Sequence, residues 1–348
     1  MRTGFHISLL FLSLLMFAGP VNGQAGGDNT FEFLRLPWSA RASALGGTVV
    51  SLSEDEPSLV FCNPALSHNR LQGLLSLGYT SYLGGTGFGS AAYTFGNNQK
   101  NMTAGINWLN YGSFIESDNP GNITGSFRAA EYAINLVYSR TFDTIFSVGA
   151  AVKPILSQLE SYTSFGMAID LGAAVSTRDS LLTAGLTIRN IGLQLTTYAG
   201  GKREKLPFEI QAGVSKMLAH APLRFTLTLR NLQKFDLTHS YDTASTGDGN
   251  GSTKAGEGFV ENLLRHSLFG AEFMPHRNFW IGAGYNYQRR SELKIETGGA
   301  AAGFSWGFGA NISGFRVVFS RSTYHLAGGA SSFSLAFNPG SVYRRITD

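Results

Sequence analysis

Short stretches of alternating apolar and polar residues occupy most of the chain after residue 73. In Leu223–Leu229, leucine and phenylalanine side chains alternate with Arg224 and two threonines. A period of two predicts a β-strand with one apolar and one polar face. About fourteen such segments can be distinguished, and they begin near Leu74, Gly87, Met102, Arg128, Phe146, Phe165, Leu182, Phe208, Leu223, His266, Phe279, Gly303, Phe315 and Ser331.

The connections between the predicted strands are short and long by turns, although Gly84–Thr86 is a short connection on the long side. The short set includes Gly96–Asn101, Arg140–Ile145, Ser176–Ser180, Pro275–Asn278 and Ser313–Gly314, and the long set includes Gly112–Phe127, Gly192–Pro207, Gln233–Arg265 and Arg289–Ala302. Transmembrane barrels have short turns at one rim and longer loops at the other, and their closure leaves no unpaired strand edge in hydrocarbon. The pattern predicts an all-β fold, a closed antiparallel outer-membrane barrel over residues 73–348, with both termini periplasmic.

The first 72 residues do not alternate and divide into two parts. Arg2 followed by the apolar run Ile7–Phe17 is typical of a signal peptide, because the run is shorter than the ~20 residues that span a bilayer. We expect cleavage before Gln24, so that residues 1–23 are removed. In residues 24–72, Asn63-Pro64-Ala65 interrupts any regular element. These residues form either a plug that folds into or caps the barrel lumen, or a periplasmic linker.

The composition agrees with a barrel whose outer face meets lipid. The chain of 348 residues has 43 glycines, 12% aromatic residues and only 14% charged residues, whereas globular proteins have about 25% charged residues. The net charge of +4 is small and scattered, which gives no reason to expect a nucleic-acid partner. Cys62 is the single cysteine, so it cannot form an internal disulfide, and we interpret it as a small buried apolar residue.

Charged residues within the predicted strands should face the lumen. Alternation places Lys153, Asp170, Arg189, Arg224 and Glu272 inward, and a lysine or arginine facing lipid near the midplane would cost ~2–4 kcal/mol. These residues either pair with one another and hold the plug, or select a permeant molecule. Within the plug itself, the candidate residues are Arg41, Asp55, Asn63 and Pro64.

Catalytic and metal motifs are weak in this sequence. Gly303-Phe304-Ser305-Trp306-Gly307 matches G-x-S-x-G, but the serine lies inside an alternating segment with no helix after it. The seven histidines do not show metal-ligand spacing, and no cysteine pair supports a zinc site. We therefore expect no enzyme, no metal and no cofactor. An outer-membrane lipase would need a serine, a histidine and an acid near one rim, and the spacing does not indicate them.

Several sequence blocks resemble the PorQ family of the type IX secretion system of Bacteroidota, whose relatives include PorV. The blocks are Phe33-Leu34-x-Leu36-Pro37-x-Ser39-Ala40-Arg41, Ala44-Leu45-Gly46-Gly47, Asn63-Pro64-Ala65-Leu66, Asn110-Tyr111-Gly112, Gly125-x-Phe127-x-Ala129, Lys153-Pro154-Ile155, Ser161-Tyr162, Asp170-Leu171-Gly172, Arg189-Asn190-Ile191-Gly192, Arg203-Glu204-Lys205-Leu206-Pro207-Phe208 and His220-Ala221-Pro222-x-Arg224. The resemblance implies a FadL-like barrel of fourteen strands with an N-terminal plug, and no catalytic residues.

Two functional hypotheses follow from the pattern and the resemblance. The first is an accessory barrel of the type IX secretion system, which binds other secretion components and cargo proteins at its loops and periplasmic rim. The second is a FadL-like channel for hydrophobic small molecules. A hydrophobic pocket lined by plug and barrel would favour the channel, and a lumen filled with paired charges would count against it. Both hypotheses place the chain among outer-membrane lipids.

Overall fold

A computed structural model describes residues 29–97, 100–118, 121–143, 145–234, 237, 255–292, 301–325 and 328–342. The predicted signal peptide, residues 1–23, lies outside the described residues, as does most of the stretch 235–254 in the predicted loop Gln233–Arg265.

Antiparallel strands close into a single barrel, which confirms the predicted fold class and strand number. Each strand pairs with its neighbours in sequence, and β1 pairs with β14 from Leu75–Phe337 to Ser81–Ser331 to close the wall. In the described residues the strands are β1 (Leu75–Ser81), β2 (Gly87–Asn97), β3 (Lys100–Ser117), β4 (Ile123–Phe142), β5 (Phe146–Leu159), β6 (Tyr162–Ser176), β7 (Leu182–Gln194), β8 (Glu209–Met217), β9 (Leu223–Leu229), β10 (Ser267–His276), β11 (Phe279–Asn286), β12 (Phe304–Ile312), β13 (Phe315–His325) and β14 (Gly328–Phe337).

The two faces of the wall differ in the way that the alternation predicts. On β6, Phe165, Met167, Ile169 and Leu171 are 37–48% exposed and point outward. The residues between them point inward and are buried, including Asp170 at 3% exposure. An apolar outer face on a closed barrel matches a hydrocarbon environment, because in water so large an apolar surface would associate.

The β3–β4 connection differs from the prediction. The sequence predicts a long loop over Gly112–Phe127, but β3 and β4 extend into this region as a paired ribbon with register shifts after Asn110 and after Glu116. Aromatic and β-branched residues favour strand pairing, and the Phe114 and Phe127 rings stack with their centroids 5.2 Å apart. The β5–β6 connection at residues 160–161 is also short, so the loops are sorted less regularly than expected.

Residues 29–72, which we call the N-terminal segment, lie in the interior of the barrel. Their helix α1 (Ala40–Ala44) contacts β11–β14, whereas the 3-10 turn Pro64–Leu66 contacts β4–β6 on the opposite side. Ser39 starts α1, because its hydroxyl accepts a hydrogen bond from the Ala42 amide at 3.3 Å. Further 3-10 turns are Glu32–Arg35, Pro57–Phe61 and Asn69–Leu71.

Helices also occur in the long connections at the opposite rim from the short turns. Helix α2 (Ala255–Arg265) precedes β10, and α3 (Tyr287–Glu292) follows β11. No helix among the described residues has the length and apolar character that a membrane-crossing helix needs.

Candidate functional site in the barrel interior

The first interior cluster joins β5, β6 and β7 around Asp170. The Lys153 ammonium lies 2.7 Å from the Asp170 carboxylate and donates to Asn190 Oδ1 at 2.5 Å. The Asn190 amide donates to the same carboxylate at 2.7 Å, and Arg189 Nε lies 3.9 Å from it. Arg189 also donates to the Leu34 carbonyl at 3.2 Å. The cluster therefore holds the N-terminal segment to the wall.

Asn190 is a member of this cluster that alternation did not identify. Its backbone is left-handed at φ 58°, a conformation that asparagine tolerates better than most residues. This conformation accompanies the β6–β7 register shift between Ile169 and Leu171. The side chain and the backbone N–H of Asn190 both contact partners on the inner face. A strict period of two would have assigned it to the lipid-facing side. The Arg-Asn-Ile-Gly block was the only sequence signal that included it.

The second cluster joins α1 to β9 and β10. Arg41 pairs with Glu272 at 2.7 Å and with Glu54 at 3.5 Å. Arg224 pairs with both carboxylates, at 3.3 Å from Glu272 and in direct contact with Glu54. Burial alone would raise the pKa of Glu54, but Arg41 and Arg224 together lower it to about 2. Two arginines and two carboxylates thus bridge the N-terminal segment and the wall, and Glu54 was not among the predicted residues.

Asp55 and Asn63 attach the N-terminal segment at two further places. Asp55 lies 3.0 Å from Arg70 within the segment and 3.3 Å from Arg316 on β13. Asn63 Nδ2 donates to the Val50 carbonyl at 2.8 Å and to the Ala173 carbonyl of β6 at 3.2 Å.

The turn after Asn63 passes close to the wall. Asn63 Oδ1 accepts from the Ala65 amide at 3.0 Å, which supports the turn that begins at Pro64. Gly172 and Gly149 face this turn, and a Cβ on either would clash with it. The Asn-Pro-Ala sequence thus serves as an attachment to β5 and β6.

One part of the boundary between segment and wall is apolar. Phe31, Phe33, Leu34 and Trp38 of the N-terminal segment share a buried cluster with wall residues that include Phe88, Leu109 and Ile155. The Trp38 ring meets Phe33 and Phe88 edge-on, with centroids 6.1 and 5.6 Å away. This closely packed cluster buries apolar surface between the N-terminal segment and the wall, in addition to the contacts that the ion pairs make.

An interior cavity of about 310 Å³ lies between the N-terminal segment and the wall at the short-turn end. Met217, Met274, Trp280 and Val318 supply apolar surface. Charged residues line another part, including Arg41, whose guanidinium lies 4.5 Å from the centre of the Trp280 ring. The β10–β11 turn, residues 277–278, also contributes to the lining. The cavity is amphipathic, with charge and aromatic surface side by side.

The serine of the G-x-S-x-G match has a structural contact here. Ser305 lies within β12 and its hydroxyl donates to the Ala44 carbonyl at 2.8 Å, so it attaches α1 to the wall. Within the described residues, no group of three or more histidine, cysteine, aspartate or glutamate side chains is placed to hold a metal ion. Cys62 is buried in an apolar cluster within the N-terminal segment that includes Ala42 of α1 and Leu59.

The closed antiparallel wall, its apolar outer face and its ion-paired interior define a transmembrane β-barrel of the outer-membrane type. No protein-family model matches the chain, and no curated protein sequence matches it. Solved structures do align with the chain. A mutant of the monoaromatic hydrocarbon channel TodX aligns with a TM-score of 0.51 at 13% identity, over 87% of this chain and 98% of that one.

Two further solved structures also align with the chain. The Ralstonia pickettii toluene transporter TbuX aligns with a TM-score of 0.50 at 13% identity, over 87% of this chain and 98% of that one. A Pseudomonas aeruginosa FadL homologue has a TM-score of 0.48 at 11% identity, over 86% and 98% of the two chains. At such identities the likeness concerns the fold alone. The chain is an outer-membrane barrel of FadL-like fold, and the resemblance to PorQ stays a prediction.

Proposed function

We propose that this protein is a non-enzymatic, FadL-like channel that passes small hydrophobic molecules across the outer membrane. The observation that carries the proposal is the amphipathic cavity of about 310 Å³ between the N-terminal segment and the wall. Its methionine, tryptophan and valine surface suits an apolar body, and the charged residues that line the other part suit a polar end group. The solved structures with this fold include a toluene transporter and a monoaromatic hydrocarbon channel.

The buried ion pairs count against the channel to the extent that they exclude a permanently open pore. Arg41, Glu54, Arg224 and Glu272 connect the segment to the wall in the interior. Passage therefore requires the segment to move, and we propose that residues 24–72 act as a displaceable plug of the barrel. Since isolated buried charges are costly, displacement would have to admit water or ligand to these groups.

Uptake of a long-chain fatty acid into liposomes tests this proposal. Ser43 of α1 and Ser322 of β13 have their hydroxyl oxygens 3.0 Å apart, so Ser43→Cys with Ser322→Cys should form a disulfide when Cys62 is first replaced by serine. We expect uptake by the reduced protein, its loss on oxidation and its recovery on reduction. Thr141→Cys with Ser147→Cys is the control, because these hydroxyls, 3.1 Å apart, join two wall strands only.

Two results would each reject part of the proposal, the first the channel itself and the second the displaceable plug. The first is reduced protein that takes up no more fatty acid than empty liposomes. The second is a Ser43–Ser322 disulfide with no more effect on uptake than the Thr141–Ser147 disulfide, which would show that transport does not need the plug to move.

A second candidate is the type IX secretion accessory barrel, and the β3–β4 ribbon is the observation that favours it. Among the described residues, β3 beyond Ser113 pairs only with β4, so its other edge is open. Ile115 and Ile123 on the ribbon are 70% and 73% exposed. Open apolar edges accept strands from other proteins. Deleting the gene should then impair export or surface attachment of type IX cargo, and normal export would exclude this role.

Both candidates share one proposed orientation, in which the long loops and the ribbon face outward and the short turns face the periplasm. The chain termini would then be periplasmic. Short periplasmic turns are the rule in bacterial barrels, which supports this orientation. Secretion partners would meet the ribbon from outside, and a transported molecule would reach the cavity beside Arg41 last.

A further inference from the structure

The outer wall has a depression over β10 and β11 that strand register creates. Ala271 pairs with Ala283, so two small outward residues face each other on adjacent strands. Phe225 pairs with Ala271 on one side, and Trp306 pairs with Ala283 on the other. A row that reads large, small, small, large across four strands leaves a groove in the middle, about two strand spacings of 4.8 Å wide.

The neighbouring rows complete the walls of this groove. Leu227, Phe269 and Tyr285 form the next row toward the long loops, and Phe304 extends it. The groove has a volume of about 420 Å³ and a nearly wholly apolar lining, and it opens on the outer surface of the barrel. A groove in this position faces the acyl chains of the membrane, because the whole outer face of the wall lies against lipid.

One end of the groove carries a positive charge. Lys216 on β8 pairs with Phe225 in the same row, points outward, is exposed and lines the groove. Among the described residues, no carboxylate oxygen lies within the 4.0 Å of an ion pair with it. The nearby Asp179 carboxylate is held by the Thr177 hydroxyl at 2.5 Å and the Leu181 amide at 3.0 Å.

Lys216 also lies at the depth where lipid headgroups are found. It is two residues from the β8–β9 turn at 218–222, at the short-turn rim. A lysine near the end of a membrane strand extends its ammonium to the interface while its stem stays in the apolar layer. The ammonium can therefore contact the phosphate of a lipid while an acyl chain of the same lipid occupies the groove.

We propose that this groove is a binding site for one anionic phospholipid, with an acyl chain over Ala271 and Ala283 and the phosphate against Lys216. The apolar lining selects the acyl chain, and the exposed ammonium selects a phosphate over an uncharged headgroup. The site lies outside the lumen and is independent of whether the barrel transports small molecules or takes part in secretion.

Native mass spectrometry of the detergent-purified barrel with added phosphatidylglycerol, or with uncharged diacylglycerol, tests this site. We expect one retained phosphatidylglycerol and little diacylglycerol. Lys216→Ala should lower phosphatidylglycerol retention about fivefold, as expected for one lysine at a lipid surface. Ala283→Phe, or Ala271→Met if that variant folds better, should remove retention of both lipids by filling the groove.

Matched controls are available on the other side of the barrel. Lys100→Ala removes an exposed lysine next to the β2–β3 turn, and Ala150→Phe enlarges an outward alanine on β5. Neither should change retention. The site is rejected if Lys216→Ala retains as much phosphatidylglycerol as Lys100→Ala. It is also rejected if Ala283→Phe and Ala271→Met, both confirmed folded by their gel mobility, retain as much lipid as Ala150→Phe.

Discussion

At the scale of single residues, Asp170 is a buried carboxylate that needs several partners at once. It accepts from Lys153 and from the Asn190 amide, and Arg189 lies beside it, all in a buried part of the wall. Alternation was enough to place Lys153, Asp170 and Arg189 on the inner face, because the direction of a strand side chain follows from local geometry. Alternation does not predict their mutual pairing, since the pairing depends on the register between separate strands.

Asp170→Ala is expected to destabilise the barrel by about 3–5 kcal/mol, because it leaves Lys153 and Arg189 buried without their carboxylate. Urea unfolding followed by tryptophan fluorescence and gel mobility measures the change. Glu116→Ala, which removes an exposed carboxylate on the ribbon, should stay within about 0.5 kcal/mol of the parent. An Asp170→Ala protein as stable as Glu116→Ala would show that the cluster does not stabilise the fold.

At the scale of elements, the N-terminal segment depends on glycines in the wall. Gly172 of β6 and Gly185 of β7 face inward, where a Cβ would meet Asn63 or the Val50 carbonyl. Sequence reasoning recognised that the segment lacks strand periodicity, but these glycines were indistinguishable from the many others in the chain. Their role depends on which backbone approaches them, and this is a tertiary property.

Gly172→Val should loosen the N-terminal segment while the wall stays folded. The new side chain would push against Asn63 and Pro64, and such overpacking costs about 1–3 kcal/mol. Limited trypsin digestion with mass spectrometry should then show faster cleavage after Arg41. Gly201→Val is the control, because nothing lies within 4 Å of a Cβ at that loop position. Equal cleavage rates in the two variants would mean that the contact at Gly172 does not hold the segment.

At the scale of the whole molecule, the ends of the barrel are distinct, and the proposed orientation can be measured. Gly201 lies in the β7–β8 connection and Asp179 in the β6–β7 turn, at opposite ends of β7. In a Cys62→Ser background, a membrane-impermeant maleimide should label Gly201→Cys in intact cells. Asp179→Cys should react only after the outer membrane is opened. Labelling of Asp179→Cys alone in intact cells would reverse the orientation.

The sequence by itself determined the wall of this protein. Strand positions outside the β3–β4 ribbon, inward charges and the apolar outer face follow from a period of two, which each segment carries locally and the membrane enforces. Only the tertiary structure decided how the interior is closed. Arg41 meets Glu272 across 231 residues, and Ala271 meets Ala283 by register. Barrel closure and strand register decide which residues meet in these pairs. The local sequence around either residue does not predict its partner.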